Sequence, residues 1–155
     1  MTTIIGAIVT SVVILDQLAK LLVIAWIGPD QSLHRWELAG SLLAFEYVEI
    51  TGAAFGILAG RVWLLSVLAL IVGLGFLFAP RRELPFSGLL RLGIGLVIGG
   101  GLGNLVDRLR LGFVIDYIAV GIWPKFNVAD SAITIGLILM AWTTLRDETT
   151  QENGS

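Results

Sequence analysis

Long apolar stretches, separated by shorter polar connections, make up most of this chain. Each stretch is close to the ~20 residues that a helix needs to cross the hydrocarbon core of a bilayer. The pattern predicts an all-α integral membrane protein with four transmembrane helices, near residues 4–27, 62–79, 89–108 and 127–145. We expect one membrane domain over 1–146 and a polar C-terminal tail at 147–155.

The segment 28–61, between the first two helices, has a different pattern. Side chains alternate along 42–50 in a run rich in aromatic and β-branched residues, which is typical of a short strand or hairpin. The tryptophans near the predicted helix ends are typical of anchors at a membrane surface: Trp26, Trp36, Trp63 and Trp123. We therefore expect a small extended element at one membrane face.

An even number of spans places both termini on one side of the membrane. The connections after helices 1 and 3 then lie together on the opposite side, so Asp107, Asp116 and Asp130 share one membrane face. The short connection with Arg81 and Arg82 lies on the side of the termini. Positive residues in short loops favour the cytoplasm, so we expect cytoplasmic termini.

Composition agrees with a membrane protein and excludes several functions. Only 14% of the residues are charged, against about a quarter in soluble domains, and the mean hydropathy is +0.90. A net charge of -2 without a basic cluster argues against nucleic-acid binding. The chain has no cysteine, and His34 is its one histidine, so we predict neither a metal site nor a cofactor.

Two polar clusters interrupt the apolar helices. Asp16 and Lys20 are four positions apart with the acid first, which favours an ion pair, and pairing makes a charge within the membrane tolerable. Asn104, Asp107 and Arg108 lie on one face of the third helix. A structural network accounts for both clusters as well as direct chemistry does.

Asp116 and Asp130 have no basic residue at helical spacing. An ionisable side chain at membrane depth is costly and marks a candidate functional site. Two carboxyl groups that meet in a poorly hydrated site share one proton, and such a pair can activate water for attack on a peptide carbonyl. An aspartic protease and a small proton-coupled transporter both fit these residues.

Six sequence blocks together span almost the whole chain. They are DQLAK at 16–20, YVEITGAAFG at 47–56, GNLVDR at 103–108, VIDY at 114–117, WP at 123–124 and FNVADSA at 126–132. In their residues and in their order along the chain, these blocks resemble signal peptidase II, a family of small membrane aspartic proteases that act on prolipoproteins.

The resemblance implies roles for individual residues. Asp116 and Asp130 match the catalytic aspartates. The positions that match substrate-binding or site-supporting residues are Asn104, Asp107, Arg108, Asn127, Asp16, Lys20, Gly52 and Ala53. The family fold implies a small extracytoplasmic β-cradle and an interfacial helix beside four transmembrane helices. The active site is then expected at the extracytoplasmic face of the bacterial inner membrane.

The resemblance also implies an endopeptidase that removes signal peptides from diacylglyceryl-modified prolipoproteins. The family cuts on the amino side of the lipidated cysteine. The implied partners are these prolipoprotein substrates, membrane lipids and globomycin-type inhibitors. A site at the membrane surface suits such a substrate, because its own lipid and signal helix hold the scissile bond there.

One position departs from the family pattern. Ile50 stands where the block around Gly52 usually has an asparagine. An amide donor and acceptor are thereby replaced with an apolar side chain. This departure predicts reduced activity, and it leaves a catalytically weakened lipoprotein-binding relative as a further alternative.

Overall fold

The structure is a computed structural model that describes residues 2–29, 35–40, 42–50, 63–78 and 87–152. The described helices are α1 (Thr2–Trp26), α2 (Trp63–Phe78), α3 (Gly88–Leu111) and α4 (Val128–Glu152). The described strands are β1 (Trp36–Glu37), β2 (Leu43–Ile50) and β3 (Val114–Val120). The protein is therefore mostly helical, with one small sheet.

Three of these helices are long and apolar enough to cross a membrane, namely Thr3–Trp26, Gly88–Leu111 and Val128–Arg146. The described part of α2 has 16 residues, fewer than the ~20 that a spanning helix usually takes. Large apolar side chains such as Leu15 of α1 and Ile138 of α4 are exposed. Contiguous exposed apolar surface of this kind is typical of contact with lipid.

The central helix is α3, which packs against α1, α2 and α4. Its glycines allow the neighbouring backbones to approach closely. A Cβ at Gly100 would overlap the carbonyl oxygen of Ala129 in α4, and a Cβ at Gly99 would lie 2.8 Å from the Cβ of Val12 in α1. The buried apolar core is formed by Ile5, Leu90, Ile94, Val97, Ile98 and Met140.

The last helix is longer than the sequence pattern predicts. It extends through Glu152, past the expected end at 145, so residues 147–152 of the predicted polar tail continue α4. Glutamate and glutamine are good helix formers, and adding residues to an existing helix is easier than starting a new one. Loss of apolar character therefore ends the stretch that is apolar enough to cross a membrane, at Arg146, but does not end the helix.

The strands form one antiparallel sheet in the order β1-β2-β3. The predicted extended run at 42–50 is observed as β2. The connection 109–125, expected as a loop, instead contains β3, in which Asp116 pairs with Val48 and Val114 pairs with Ile50. No local turn links β2 to β3, because two helices separate them along the chain, so the pairing left no short-range signal.

Several predictions fall outside the described residues. These are the short connection with Arg81 and Arg82 and the site positions Gly52 and Ala53. Between α1 and α2, the described residues 35–40 and 42–50 contain no α-helix, so the interfacial helix stays a prediction.

Candidate active site

A chain reversal after β3 brings Asp116 and Asp130 together. The strand leads to Gly121, whose φ of 49° suits a residue without a Cβ. The chain then turns back, and Phe126 pairs with Ile118. α4 consequently starts beside the middle of β3, with Asp130 in its first turn.

Asn127, immediately before α4, contacts both aspartates. Its Nδ2 donates a hydrogen bond to Oδ1 of Asp116 at 2.7 Å. Its Oδ1 accepts from the backbone N–H of Asp130 at 2.8 Å, and Oδ2 of Asp130 accepts from the backbone N–H of Asn127 at 3.3 Å. This reciprocal arrangement is a capping box. The side chain that caps α4 therefore also holds the carboxyl group on β3.

Asn104 of α3 extends this network to the second carboxyl group. Its Nδ2 donates to Oδ1 of Asp130 at 2.7 Å, and its Oδ1 accepts from Nδ2 of Asn127 at 3.1 Å. Both asparagines and Asp116 are buried, whereas Asp130 is half-buried. Each of the two carboxyl groups thus accepts a short hydrogen bond from an asparagine amide, and the two amides are hydrogen-bonded to each other.

Burial, with a smaller contribution from the nearby Asp130 carboxylate, raises the pKa of Asp116 from 3.8 to about 8. The charge of Lys20 and the hydrogen bond from Asn127 oppose this change. Asp116 is therefore mostly protonated at neutral pH, next to a second carboxyl group. One proton shared between two carboxyl groups is the arrangement that acid–base chemistry on a water molecule needs.

The predicted ion pair between Asp16 and Lys20 is confirmed, and it has a further member. Nζ of Lys20 lies 2.8 Å from Oδ2 of Asp16 and 2.8 Å from Oδ2 of Asp107. It also donates to Oδ1 of Asn104 at 3.1 Å. All three ammonium protons of this buried side chain thus have an acceptor.

Two more side chains support this end of α3. Arg108 donates from Nη1 to the backbone oxygen of Asn104 at 3.1 Å. Gln17, which the sequence reasoning did not select, donates from Nε2 to Oδ1 of Asp107 at 2.9 Å and to the backbone oxygen of Gly103 at 3.2 Å. Its position within an apolar span, next to Asp16, was the available signal.

An open cavity of about 640 Å³ adjoins Asp130. Its walls come from the turn before α4, with Trp123 and Phe126, and from the exposed side of α4, with Thr134 and Ile135. A molecule in this cavity can therefore contact Asp130. In the described ranges, no group of three or more His, Cys, Asp or Glu side chains is arranged to hold a metal ion.

Comparison with known proteins identifies the family. The family described as signal peptidase (SPase) II matches residues 8–146. This chain belongs to the signal peptidase II family. The resemblance inferred from the sequence blocks is thereby confirmed, together with the predicted class of enzyme, a membrane protease of the aspartic type. Membership of signal peptidase II does not favour the transporter or the non-catalytic alternative.

Relatives of known sequence and structure agree with membership of signal peptidase II. The lipoprotein signal peptidase of Halothermothrix orenii is 43% identical over 138 residues, which cover 87% of this chain and 92% of the relative. That of Moorella thermoacetica is 41% identical over 134 residues, covering 86% and 87%. A solved bacterial membrane enzyme, 31% identical, superposes with a TM-score of 0.78 over 94% of this chain and 90% of that chain.

Proposed function

We propose that this protein is a prolipoprotein signal peptidase in which Asp116 and Asp130 are the catalytic residues. The observation that carries this proposal is the pair of carboxyl groups joined through the amides of Asn104 and Asn127. Membership of the signal peptidase II family and relatives named lipoprotein signal peptidase support the substrate class. The substrate is a precursor whose cysteine carries diacylglycerol, cut on the amino side of that cysteine.

The reaction uses one protonated and one ionised carboxyl group. The ionised aspartate takes a proton from a water molecule as the water oxygen attacks the carbonyl carbon of the scissile peptide bond. The protonated partner donates to the carbonyl oxygen and stabilises the tetrahedral intermediate. Transfer of a proton to the amide nitrogen then breaks the carbon–nitrogen bond and releases the amine of the lipidated cysteine. The raised pKa of Asp116, beside a second carboxyl group, supports one proton held by the pair at neutral pH.

The cavity beside Asp130 supports an approach of the substrate along α4. Exposed apolar residues of α4, such as Ile135 and Ile138, continue from the cavity toward the rest of the helix. A signal helix and acyl chains dissolved in the bilayer can lie against such a surface while the scissile bond reaches the carboxyl groups. Holding the bond in place through the lipid-embedded part of the substrate lowers the entropic cost of the reaction.

The proposal also includes how the chain is arranged in the membrane. In it, residues 1–146 form one domain with α2 as a fourth transmembrane span, and the sheet forms the extracytoplasmic cradle beside an interfacial helix. The termini are cytoplasmic, and the active site is at the outer face of the bacterial inner membrane. It is supported by the exposed apolar side chains of the helices and by the position of Asp116 and Asp130 beside one end of α3 and α4. Globomycin-type inhibitors and membrane lipids are the further ligands in this proposal.

Cleavage of a purified lipidated precursor tests the proposal. In detergent micelles or liposomes, we expect the wild-type chain to release the signal peptide. Asp116→Asn and Asp130→Asn each remove an acid–base group while keeping the size of the side chain. At position 130 the amide keeps only one of the two oxygens that accept from Asn104 and Asn127. The cleavage rate of each variant is therefore expected to be about 10²–10⁴-fold lower than that of the wild type, the usual contribution of an acid–base group.

The matched control for the two variants is Glu37→Gln, an exposed acid on β1. This variant is expected to cleave at the wild-type rate. Cleavage that survives either Asp116→Asn or Asp130→Asn contradicts the assigned mechanism. A wild-type chain that binds the lipidated precursor without cutting it indicates the weakened relative instead.

A further inference from the structure

An apolar pocket lies between the C-terminal part of α1 and the sheet. Its volume is about 310 Å³, within the ~300–1,000 Å³ that is usual for small-molecule sites. Its walls come from α1, with Ala19, Leu22 and Trp26, and from the chain around β1 and β2, with Trp36, Leu38 and Phe45. No described residue that lines it is charged, and none lines the cavity beside Asp130. We call it the α1 pocket.

The α1 pocket continues the apolar surface of α1 that is exposed to lipid. Leu15, Leu18 and Leu22 are each more than half exposed, and their spacing of three and four residues places them on one side of the helix. Leu22 also lines the pocket, so the pocket opens on this side. Because α1 is long and apolar enough to cross a membrane, hydrocarbon chains that lie along this side of α1 meet the opening of the pocket.

Two tryptophans indicate the depth of the α1 pocket in the membrane. Trp26 is the last residue of α1 and Trp36 is the first residue of β1, and their ring centroids are 5.8 Å apart. Both line the pocket and are exposed. Tryptophan is enriched at the level of the lipid headgroups, whereas Ala19 lies about two turns further into the helix. The pocket therefore runs from the headgroup level toward the hydrocarbon, as an acyl chain does from its ester group.

An acyl chain of the bilayer suits the α1 pocket better than other occupants do. A water molecule has too few polar partners in an apolar pocket, and an empty pocket leaves its walls without dispersion contacts on one side. A chain from the adjoining bilayer fills the space without taking a polar group out of water. The substrate approaches along α4 in the proposed function, through a cavity that shares no lining residue with this pocket.

We propose that the α1 pocket binds one acyl chain of a bilayer phospholipid, with the ester group at the level of Trp26 and Trp36. This inference goes beyond the proposed function, in which membrane lipids have no defined site. The bound chain contacts α1 on one side and Phe45 of β2 on the other, and β2 pairs with β3. A lipid that binds only the folded chain stabilises it, so the chain in the pocket fastens the sheet to the helices.

Photolabelling in liposomes tests this site. Full-length protein is reconstituted with phosphatidylglycerol that carries a diazirine near the middle of one acyl chain. After illumination, trypsin separates peptide 36–61, which holds Trp36 and Phe45, from peptide 126–146, which holds the lipid-facing part of α4. Mass spectrometry then locates the label. In the wild type we expect label on Trp36 or Phe45 as well as on exposed residues of α4, which serve as the internal reference.

Ala19→Phe fills the α1 pocket with a ring. We expect the label on Trp36 and Phe45 to fall at least about tenfold relative to the label on α4, equivalent to about 1.4 kcal/mol in binding. The matched control is Ala25→Phe, the same substitution at an exposed position of α1 that does not line the pocket. It is expected to keep the wild-type pattern. Absence of label on Trp36 and Phe45 in the wild type, equal label in Ala19→Phe, or the same loss in Ala25→Phe each overturns the proposal.

Leu38→Gln gives a second test, because this side chain lines the pocket and is also 60% exposed, so a polar replacement is compatible with folding. We expect a smaller loss of label on Trp36 and Phe45, since the amide places a polar group without a partner against the chain. Circular dichroism and thermal unfolding measure the folded fraction of each variant. If Ala19→Phe does not fold, a wild-type level of label in Leu38→Gln overturns the proposal.

Excess lipidated precursor, added before illumination, distinguishes the source of the acyl chain. We expect the label on Trp36 and Phe45 to stay unchanged, because the substrate uses the cavity beside Asp130. Loss of this label shows that the pocket binds the acyl chains of the substrate, and it overturns the assignment to a bilayer phospholipid. None of these measurements requires cleavage, so a chain that binds lipid in the pocket but does not cut the precursor contradicts only the proposed function.

Discussion

Two pairs of carboxyl groups lie at the same end of this molecule and differ in the charge of their partners. Asp16 and Asp107 contact the ammonium group of Lys20. Asp116 and Asp130 accept hydrogen bonds from neutral amide groups instead. A cation stabilises an ionised carboxylate more strongly than a neutral amide does, so burial can keep a proton on the pair that has only amide partners. The same residue type therefore serves structure in one pair and is available for chemistry in the other.

The largest expected difference between the two pairs is in stability. Lys20→Met leaves two buried carboxylates without their cation and is expected to lower the free energy of unfolding by about 3–5 kcal/mol. Asp116→Asn replaces a buried carboxyl group with a neutral one of the same shape and is expected to leave stability unchanged or higher. Unfolding of both variants in the same detergent measures the contrast. Equal losses in the two variants would show that the pairs do not differ in this way.

The dependence of the cleavage rate on pH tests whether the pair of Asp116 and Asp130 holds a proton. With the pKa of Asp116 at about 8, the cleavage rate is expected to fall above that pH by about tenfold per unit, as the shared proton is lost. The free energy of unfolding is expected to fall with rising pH as well. The folded chain holds this proton more tightly than the unfolded chain, so the contribution of Asp116 is complete below its ordinary pKa of 3.8 and is lost as pH rises to about 8.

Initial rates of cleavage across neutral and alkaline pH measure this effect, with thermal unfolding at each pH as the control for loss of folded protein. A rate that stays level well above pH 8 would contradict a protonated Asp116.

The smallest expected effect concerns Ile50. It pairs with Val114, two residues from Asp116 along β3, and alternation along the strands places it on the same face of the sheet as that carboxyl group. Ile50→Asn supplies an amide near the two carboxyl groups of Asp116 and Asp130. We expect cleavage to rise about two- to tenfold, the effect of one net hydrogen bond of about 0.5–1.5 kcal/mol.

Ile50→Leu is the matched control, because it keeps an apolar side chain of equal size, and it is expected to cleave at the wild-type rate. Equal rates in wild type, Ile50→Asn and Ile50→Leu would show that this position does not limit the reaction.

Features with a local origin were the ones that could be predicted from the sequence. The apolar stretches predicted where the helices lie, and the four-residue spacing of Asp16 and Lys20 predicted their ion pair, because both depend on neighbours within one helix. The strand that carries Asp116 was missed, since its partner β2 is distant along the chain. The contact of Asp16 with Ala129 joins residues 113 positions apart, so no spacing rule could reveal it. The sequence therefore predicted the candidate residues of both pairs but not how the two pairs are connected.

Asp130 also takes part in the capping box at the start of α4. Its Oδ2 accepts from the backbone N–H of Asn127, and the same residue lines the cavity. A negative charge at this end of a helix is favoured by the helix dipole, and protonation removes it. The first turn of α4 is consequently held more firmly when Asp130 is ionised than when it is protonated. If Asp130 gains and loses a proton in each turnover, as in the proposed reaction, the cap on the first turn of α4 weakens and recovers each time.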